Sequence, residues 1–330
     1  MLSFGLLGAG RIGQIHGRNI ASHPRARLVA LTDAMPAAAQ ALADATGAVV
    51  RSADEIIGAD DIDAIAICTP TDTHAELIER AAAAGKAVFC EKPVDLSSAR
   101  IRAVLDRMAP VPLMIAFNRR FDPNFAALKS RCDEGRIGEV ELVSIISRDP
   151  GAPPVSYIKS SGGLFRDMMI HDFDMARFLL GETIEEVHAV GSCLVDPGIG
   201  EAGDVDTAAV LLKTISGKIC QISNSRRATY GYDQRIEVHG SKGLLKADNL
   251  YETTVVLANG SGFAADPVQN FFLERYAEAY RREIEHFISA IENGKAPSPS
   301  GLDGYEAGRL ADAATESQRT GRAVKVAEIG

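Results

Sequence analysis

The opening of the chain restricts its fold most. A short apolar run, Phe4-Gly5-Leu6-Leu7, leads straight into Gly8-Ala9-Gly10-Arg11-Ile12-Gly13, and a helical stretch follows to Ser22. Strand, GxGxxG turn and helix in that order begin a βαβ unit of the kind that cradles a dinucleotide. Gly8 permits the tight turn, Gly10 lets the backbone approach a pyrophosphate, and Gly13 allows close helix–strand packing. With Arg11 and Ile12 they open a helix whose positive end attracts phosphate. The motif alone does not separate a cofactor turn from a plain glycine-rich turn. The next apolar run does more. Arg27-Leu28-Val29-Ala30-Leu31-Thr32 ends at Asp33, 20 residues after Gly13, where a carboxylate meets the adenosine ribose. Ala34, Met35 and Pro36 follow with no cation for a 2′-phosphate, which favours NAD over NADP. The competing reading of Asp33 is a helix N-cap.

The alternation continues. Asp63–Cys68 reads as a buried strand and runs into Thr69-Pro70-Thr71-Asp72-Thr73-His74; a helix follows to Ala84, ended by Gly85; Ala87–Cys90 is a further strand and reaches Glu91-Lys92-Pro93. Strands alternating with helices imply a parallel sheet whose ligands bind beyond the C-terminal strand ends. Gly8, Asp33, Thr69 and Lys92 all fall on that edge. After Phe117-Asn118-Arg119-Arg120-Phe121-Asp122-Pro123 the character changes, and β-rich runs dominate: 139–147, 184–195, 207–223, 234–239 and 253–257. The expected fold is α/β, with an N-terminal Rossmann domain (1–120) and a C-terminal α+β domain (121–330) on a large, mostly antiparallel open sheet. The last helices, about 267–293 and 304–320, are expected to pack beside the domains.

A net charge of −9 argues against nucleic acid or anionic membrane as a partner. MLSFGLLGAG has no basic n-region and reads as a strand rather than a signal peptide, and no uncharged stretch approaches a membrane span. Five cysteines without CxxC spacing read as free thiols in a reducing cytoplasm.

One polar cluster stands out in an apolar setting: Phe165-Arg166-Asp167-Met168-Met169-Ile170-His171-Asp172-Phe173-Asp174. The run to Gly181 reads as one helix. Asp167 and His171, four apart, would share a face, and Asp174 would extend it. An aspartate one turn from a histidine can set its tautomer and stabilise its charged form, and the histidine can take a hydroxyl proton near neutral pH. The bland alternative is a solvated helix face. A metal site from His171, Asp172 and Asp174 is disfavoured, because Asp172 and Asp174 would point to different helix faces and no further ligand has suitable spacing. Lys92, at a strand end beside the expected nicotinamide, offers a fixed ammonium for a developing alkoxide. Its alternative is a loop-stabilising surface lysine.

GxGxxG at the start, then CTPTDTH, then CEKP, resembles the glucose–fructose oxidoreductase / inositol dehydrogenase superfamily over essentially the whole chain. The Ser161-Gly162-Gly163 and HDFDMAR runs and Ser225–Asp233 resemble its bacterial inositol 2-dehydrogenases in particular. The resemblance implies that Lys92, Asp167 and His171 form the catalytic set and that Lys92–Pro93 is a cis bond. It also implies that Thr69, Pro70, Thr71, His74, Glu91, Lys92 and Arg119 contact the cofactor. Tyr230 and Tyr232, with the catalytic set, would approach a polyol. Ordinary strand-edge aromatics remain the alternative for the two tyrosines, and an interdomain ion pair for Arg119. The activity so implied is NAD-dependent, metal-free oxidation of a cyclic polyol, myo-inositol to 2-keto-myo-inositol, by a cytoplasmic homotetramer of inositol catabolism. Rivals are a dehydrogenase of an aldose or another inositol stereoisomer, and a non-catalytic NAD-sensing regulator.

Overall fold

The structure is a computed structural model that describes residues 1–329, apart from the side chain of Lys159. The chain divides into two compact units. The first comprises Met1–Phe121 and Ala279–Gly308; the second comprises Asp122–Glu278 and the segment from Arg309 onward. The sequence reading divides the chain once, at 120/121. The segment 279–308 lies within the first unit because it carries apolar residues that complete that unit's core.

The first unit holds six strands, β1 (Leu2–Leu7), β2 (Ala26–Thr32), β3 (Val49–Val50), β4 (Ala64–Ile67), β5 (Ala87–Cys90) and β6 (Leu113–Ile115), in the order β3-β2-β1-β4-β5-β6. Every pairing is parallel. This is the doubly wound dinucleotide-binding order, and the strand order reverses between β1 and β4, where ligands of such sheets bind. β4 and β5 are buried along their whole length, as near-continuous apolar runs in parallel sheets require. The core gathers Phe4, Leu6 and Phe89 with Ile284, Phe287 and Ile288 from the returning helix Ala277–Glu292. Phe287 packs with its ring centre 5.9 Å from that of Phe4 and 5.8 Å from that of Phe89.

The second unit is built on a seven-stranded sheet: β7 (Val140–Arg148), β8 (Ile184–Ser192), β9 (Thr207–Thr214), β10 (Ile219–Ser225), β11 (Asp233–Gly240), β12 (Gly243–Ala247) and, after the separate hairpin β13 (Val256–Asn259) and β14 (Gly262–Ala265), β15 (Val324–Lys325). Its order is β12-β11-β7-β10-β9-β8-β15. Only β7 and β10 run parallel, so the expectation of a mostly antiparallel sheet holds. The expected run 207–223 is two strands, because Gly217 (φ +95°) turns the chain between them. In β9 every second position, from Ala208 to Thr214, is buried. Helices cover one face, and Val190, Leu211, Ile219 and Leu244 stay exposed on the other.

Candidate active site

In the first unit the turn after β1 behaves as the glycines require. Gly8 has φ +97°, and a Cβ there would lie 2.5 Å from the carbonyl oxygen of Cys68. A Cβ on Gly13 would collide with the carbonyl oxygen of Gly8, so the helix Arg11–Ser22 can approach β1 this closely only with glycine. Gly10 is different: a Cβ there would meet no protein atom within 4 Å. Packing explains Gly8 and Gly13, whereas Gly10 borders open space, which is what a turn that must admit a pyrophosphate needs. Asp33 closes the turn. Its Oδ2 accepts from the amide of Ala9 (2.6 Å) and its Oδ1 from that of Met35 (2.7 Å). It makes no capping bond to the next helix, whose N-cap is Met35, so the capping alternative falls. The glycine turn therefore fits a dinucleotide.

Beyond β4 and β5, two histidines tie the site's loops together. His74 is buried; one ring nitrogen lies 2.8 Å from the carbonyl oxygen of Thr69 and the other 2.8 Å from that of Pro93. It thereby holds the CTPTDTH loop to the EKP loop from beneath. Thr69 and Thr73 share a hydroxyl hydrogen bond of 2.6 Å above the turn Thr71–Thr73, and Pro70 is exposed. His16, not anticipated from sequence, is fully buried on the glycine-turn helix. Its Nε2 lies 2.8 Å from Oε1 of Glu91 and 3.8 Å from Oε1 of Glu283. Burial, and then the charge of Glu91, push the carboxyl of Glu283 well above the usual carboxylate range. Lys92 follows Glu91, half-buried, and its bond to Pro93 is cis. Arg119 is buried in the turn Asn118–Phe121.

In the second unit the segment of Asp167 and His171 departs from expectation. It is not one helix. A short helix, Gly163–Asp167, ends at Met168, and a second, Ile170–Leu180, begins after Met169. The amides of Met168 and Met169 both donate to the carbonyl oxygen of Leu164, which breaks the regular ladder. Asp172 anchors the second helix. It is fully buried and accepts from Ser147 Oγ on β7 (2.5 Å) and Asn224 Nδ2 on β10 (2.9 Å), and these bonds fix the second helix against the sheet. Asp167 therefore closes one helix and His171 stands in the first turn of the next, both half-buried. Asp172 and Asp174 are wholly buried, so a solvated helix face does not describe this stretch.

Asp167 is gripped on both oxygens: Tyr157 donates to Oδ1 (2.9 Å), and both terminal nitrogens of Arg226 lie 3.3 Å from Oδ2. Neither partner was picked out from sequence. Arg226 falls in the Ser225–Asp233 run without a role of its own there, and Tyr157 precedes Asp167 by ten residues. Tyr232 is buried, with its ring edge-on to Tyr276. Tyr230 is about half exposed; its hydroxyl donates to Asp233 (2.6 Å) and accepts from Arg148 (3.1 Å). Among the described residues, no group of three or more His, Cys, Asp or Glu side chains is placed to hold a metal ion. No helix there is long and apolar enough to cross a membrane.

Comparison with known proteins agrees with both halves. Residues 2–117 match an oxidoreductase family described as having an NAD-binding Rossmann fold, and residues 129–326 match the family's C-terminal alpha/beta domain. The chain is 58% identical to an inositol 2-dehydrogenase of Rhizobium meliloti, across 98% of this chain and 99% of that protein. It is 46% identical to a myo-inositol 2-dehydrogenase of Thermotoga maritima, across 99% of each. Among solved structures, scyllo-inositol dehydrogenase of Lactobacillus casei, with bound NAD(H) and scyllo-inositol, superposes with a TM-score of 0.91 at 33% identity, covering 99% of each chain.

Proposed function

Because this chain belongs to the GFO/IDH/MocA oxidoreductase family, we propose that it is an NAD-dependent inositol 2-dehydrogenase, oxidising the C2 hydroxyl of myo-inositol to the ketone. Full-length likeness to inositol 2-dehydrogenases, across both units, carries the reading. In this mechanism His171 takes the hydroxyl proton, and Asp167, fixed by Tyr157 and Arg226, stabilises the resulting imidazolium. The ammonium of Lys92 stabilises the oxyanion that develops on the same oxygen. When bound, NAD supplies the acceptor for the carbinol hydride. Gly8, Gly10, Arg11, Ile12 and Gly13 would receive its pyrophosphate. Asp33 would receive its ribose, and Thr69, Pro70, Thr71, Glu91 and Arg119 would line its nicotinamide end. His74 would serve from below by holding two of those loops. Tyr230 and Tyr232 would border the polyol.

The open sheet face supports self-association, to a tetramer by family likeness. It exposes Val190, Leu211, Ile219 and Leu244 on strands whose other side is covered. Free cysteines support a cytoplasmic setting. The test is NADH formation across a panel of inositol stereoisomers and aldoses. Myo-inositol should be preferred, with loss of most turnover in His171→Ala. Likeness to the L. casei enzyme keeps scyllo-inositol as the second reading, and preference for it would select that one. NAD binding with no turnover across the panel would instead identify a sensor.

A further inference from the structure

Arg226 is a fully buried guanidinium, with only about 1% of its side chain exposed. A buried cation is tolerated only where an anion compensates it. The carboxylate it reaches is Asp167, the residue assigned to steady His171. Two features show that this contact is built in. Arg226 follows β10 directly, and its amide donates to the carbonyl oxygen of Asp206 (2.8 Å), so its backbone is fixed. Asp206 in turn accepts from the amides of Leu194, Val195 and Asp196 and the hydroxyl of Thr207. On the other side, Tyr157 reaches Asp167 from the helix Val155–Ser161.

We propose that Arg226 and Tyr157 are positioning residues that set the pH at which His171 accepts the substrate proton. This rests on the reading of His171 as the base. An ionised aspartate beside a histidine draws a proton onto the ring. A cation on one oxygen of that aspartate offsets the pull, and a phenol donating to the other weakens the carboxylate further. His171 is then kept neutral, hence competent as a base, to a lower pH than an aspartate–histidine pair alone would permit. Neighbouring charged groups have partners of their own. Arg166 pairs with Asp312, Asp204 accepts from the amide of Leu164, and Asp172 is held by Ser147 and Asn224. Asp174 is wholly buried and is left unaltered in every variant below.

The experiment compares the pH dependence of kcat/KM for inositol oxidation in wild type, Arg226→Gln, Arg226→Lys and Tyr157→Phe. A histidine titration by NMR of the protein without cofactor or substrate accompanies it, with His171 assigned by its loss in His171→Asn. In Arg226→Gln the acid limb should move to higher pH by about one unit, a roughly tenfold loss below the limb, with the alkaline plateau within a few-fold of wild type. Arg226→Lys should return the limb most of the way, and Tyr157→Phe should move it upward by a smaller amount. The NMR titration should shift in step. A loss uniform across pH, or an unmoved limb and an unmoved His171 titration in Tyr157→Phe, would overturn the proposal. That second arm stands if Arg226→Gln does not fold. Absence of polyol turnover in wild type would sink the functional reading alone, since the NMR shift would still report on Arg226 and Tyr157.

Discussion

Replacing Gly10 and Gly13 by alanine, one at a time, separates cofactor binding from packing within a single turn. Gly10 has φ −66° and ψ −168°, a conformation alanine adopts freely, and its added methyl meets no protein atom. Through the unfolded chain alone, Gly10→Ala should therefore stabilise the protein by about 0.5 kcal/mol, or leave it unchanged. The same methyl would stand where a pyrophosphate must approach the backbone. Losing one charge-assisted amide–phosphate contact is worth roughly 1.5–3 kcal/mol, or roughly a 10- to 150-fold weaker Kd for NAD. Gly13→Ala should do the reverse. Its methyl collides with the carbonyl oxygen of Gly8, a backbone atom that cannot swing aside, so roughly 1–3 kcal/mol of stability is lost. At roughly 2–4 °C per kcal/mol this lowers Tm by roughly 2–12 °C. Differential scanning calorimetry gives the two Tm values, and titration calorimetry with NAD gives the two affinities. The reasoning fails if Gly10→Ala binds NAD within twofold of wild type, or if it loses as much Tm as Gly13→Ala.

Lys92→Ala should lower turnover by orders of magnitude while leaving NAD affinity within a few-fold, because its charge is wanted in the transition state; steady-state kinetics and NAD titration check both halves. Asp33→Ser combined with Ala34→Arg should shift the ratio of kcat/KM for NAD and NADP toward NADP, and wild-type use of both cofactors with equal efficiency would defeat the argument. Asp206 gives a stability prediction. Burial opposes its charge, but donation from Leu194, Asp196, Val195 and Thr207 overrides that and lowers its pKa from 3.8 to about 2. A carboxylate depressed in the folded state stabilises above its unfolded pKa and loses that contribution as pH falls through the folded one. Wild type should therefore lose about 2 kcal/mol between pH ~5 and ~1 from this group. Denaturant titrations of Asp206→Asn should show lower stability at pH 7 and a gap from wild type that narrows across that window.

The features legible in sequence are those fixed by local chemistry. Parallel strands such as Ala87–Cys90 are buried on both faces and read as uninterrupted apolar runs, and the glycine turn declares itself because only glycine fits at two of its positions. The broken helix at Met168–Met169 was hidden. Every residue from Phe165 to Leu180 tolerates a helix, and local sequence does not reveal that Asp172 meets Ser147 and Asn224 on two distant strands. Arg226 was hidden for a related reason: its partner Asp167 lies 59 residues away along the chain. His16 carried no signal either, since its partners Glu91 and Glu283 lie 75 and 267 residues away along the chain. Periodicity reports which face of an element is apolar, and says nothing about which polar group a remote element will supply.

The return of 279–308 to the first unit has a consequence for how the protein is made. The last strand of the parallel sheet, Leu113–Ile115, leaves the ribosome long before Ile284, Phe287 and Ile288, the residues that close the core over Phe4 and Phe89. Roughly 170 residues of synthesis separate them, about 10–35 s at ordinary elongation rates. Throughout that interval the nascent N-terminal sheet carries an uncovered aromatic face, which is a substrate for chaperones and a hazard for aggregation. The second unit must be threaded out in the meantime. Vectorial folding, in which each domain finishes before the next begins, is therefore closed to this chain, and a fragment ending at residue 121 should emerge from the ribosome adhesive rather than folded.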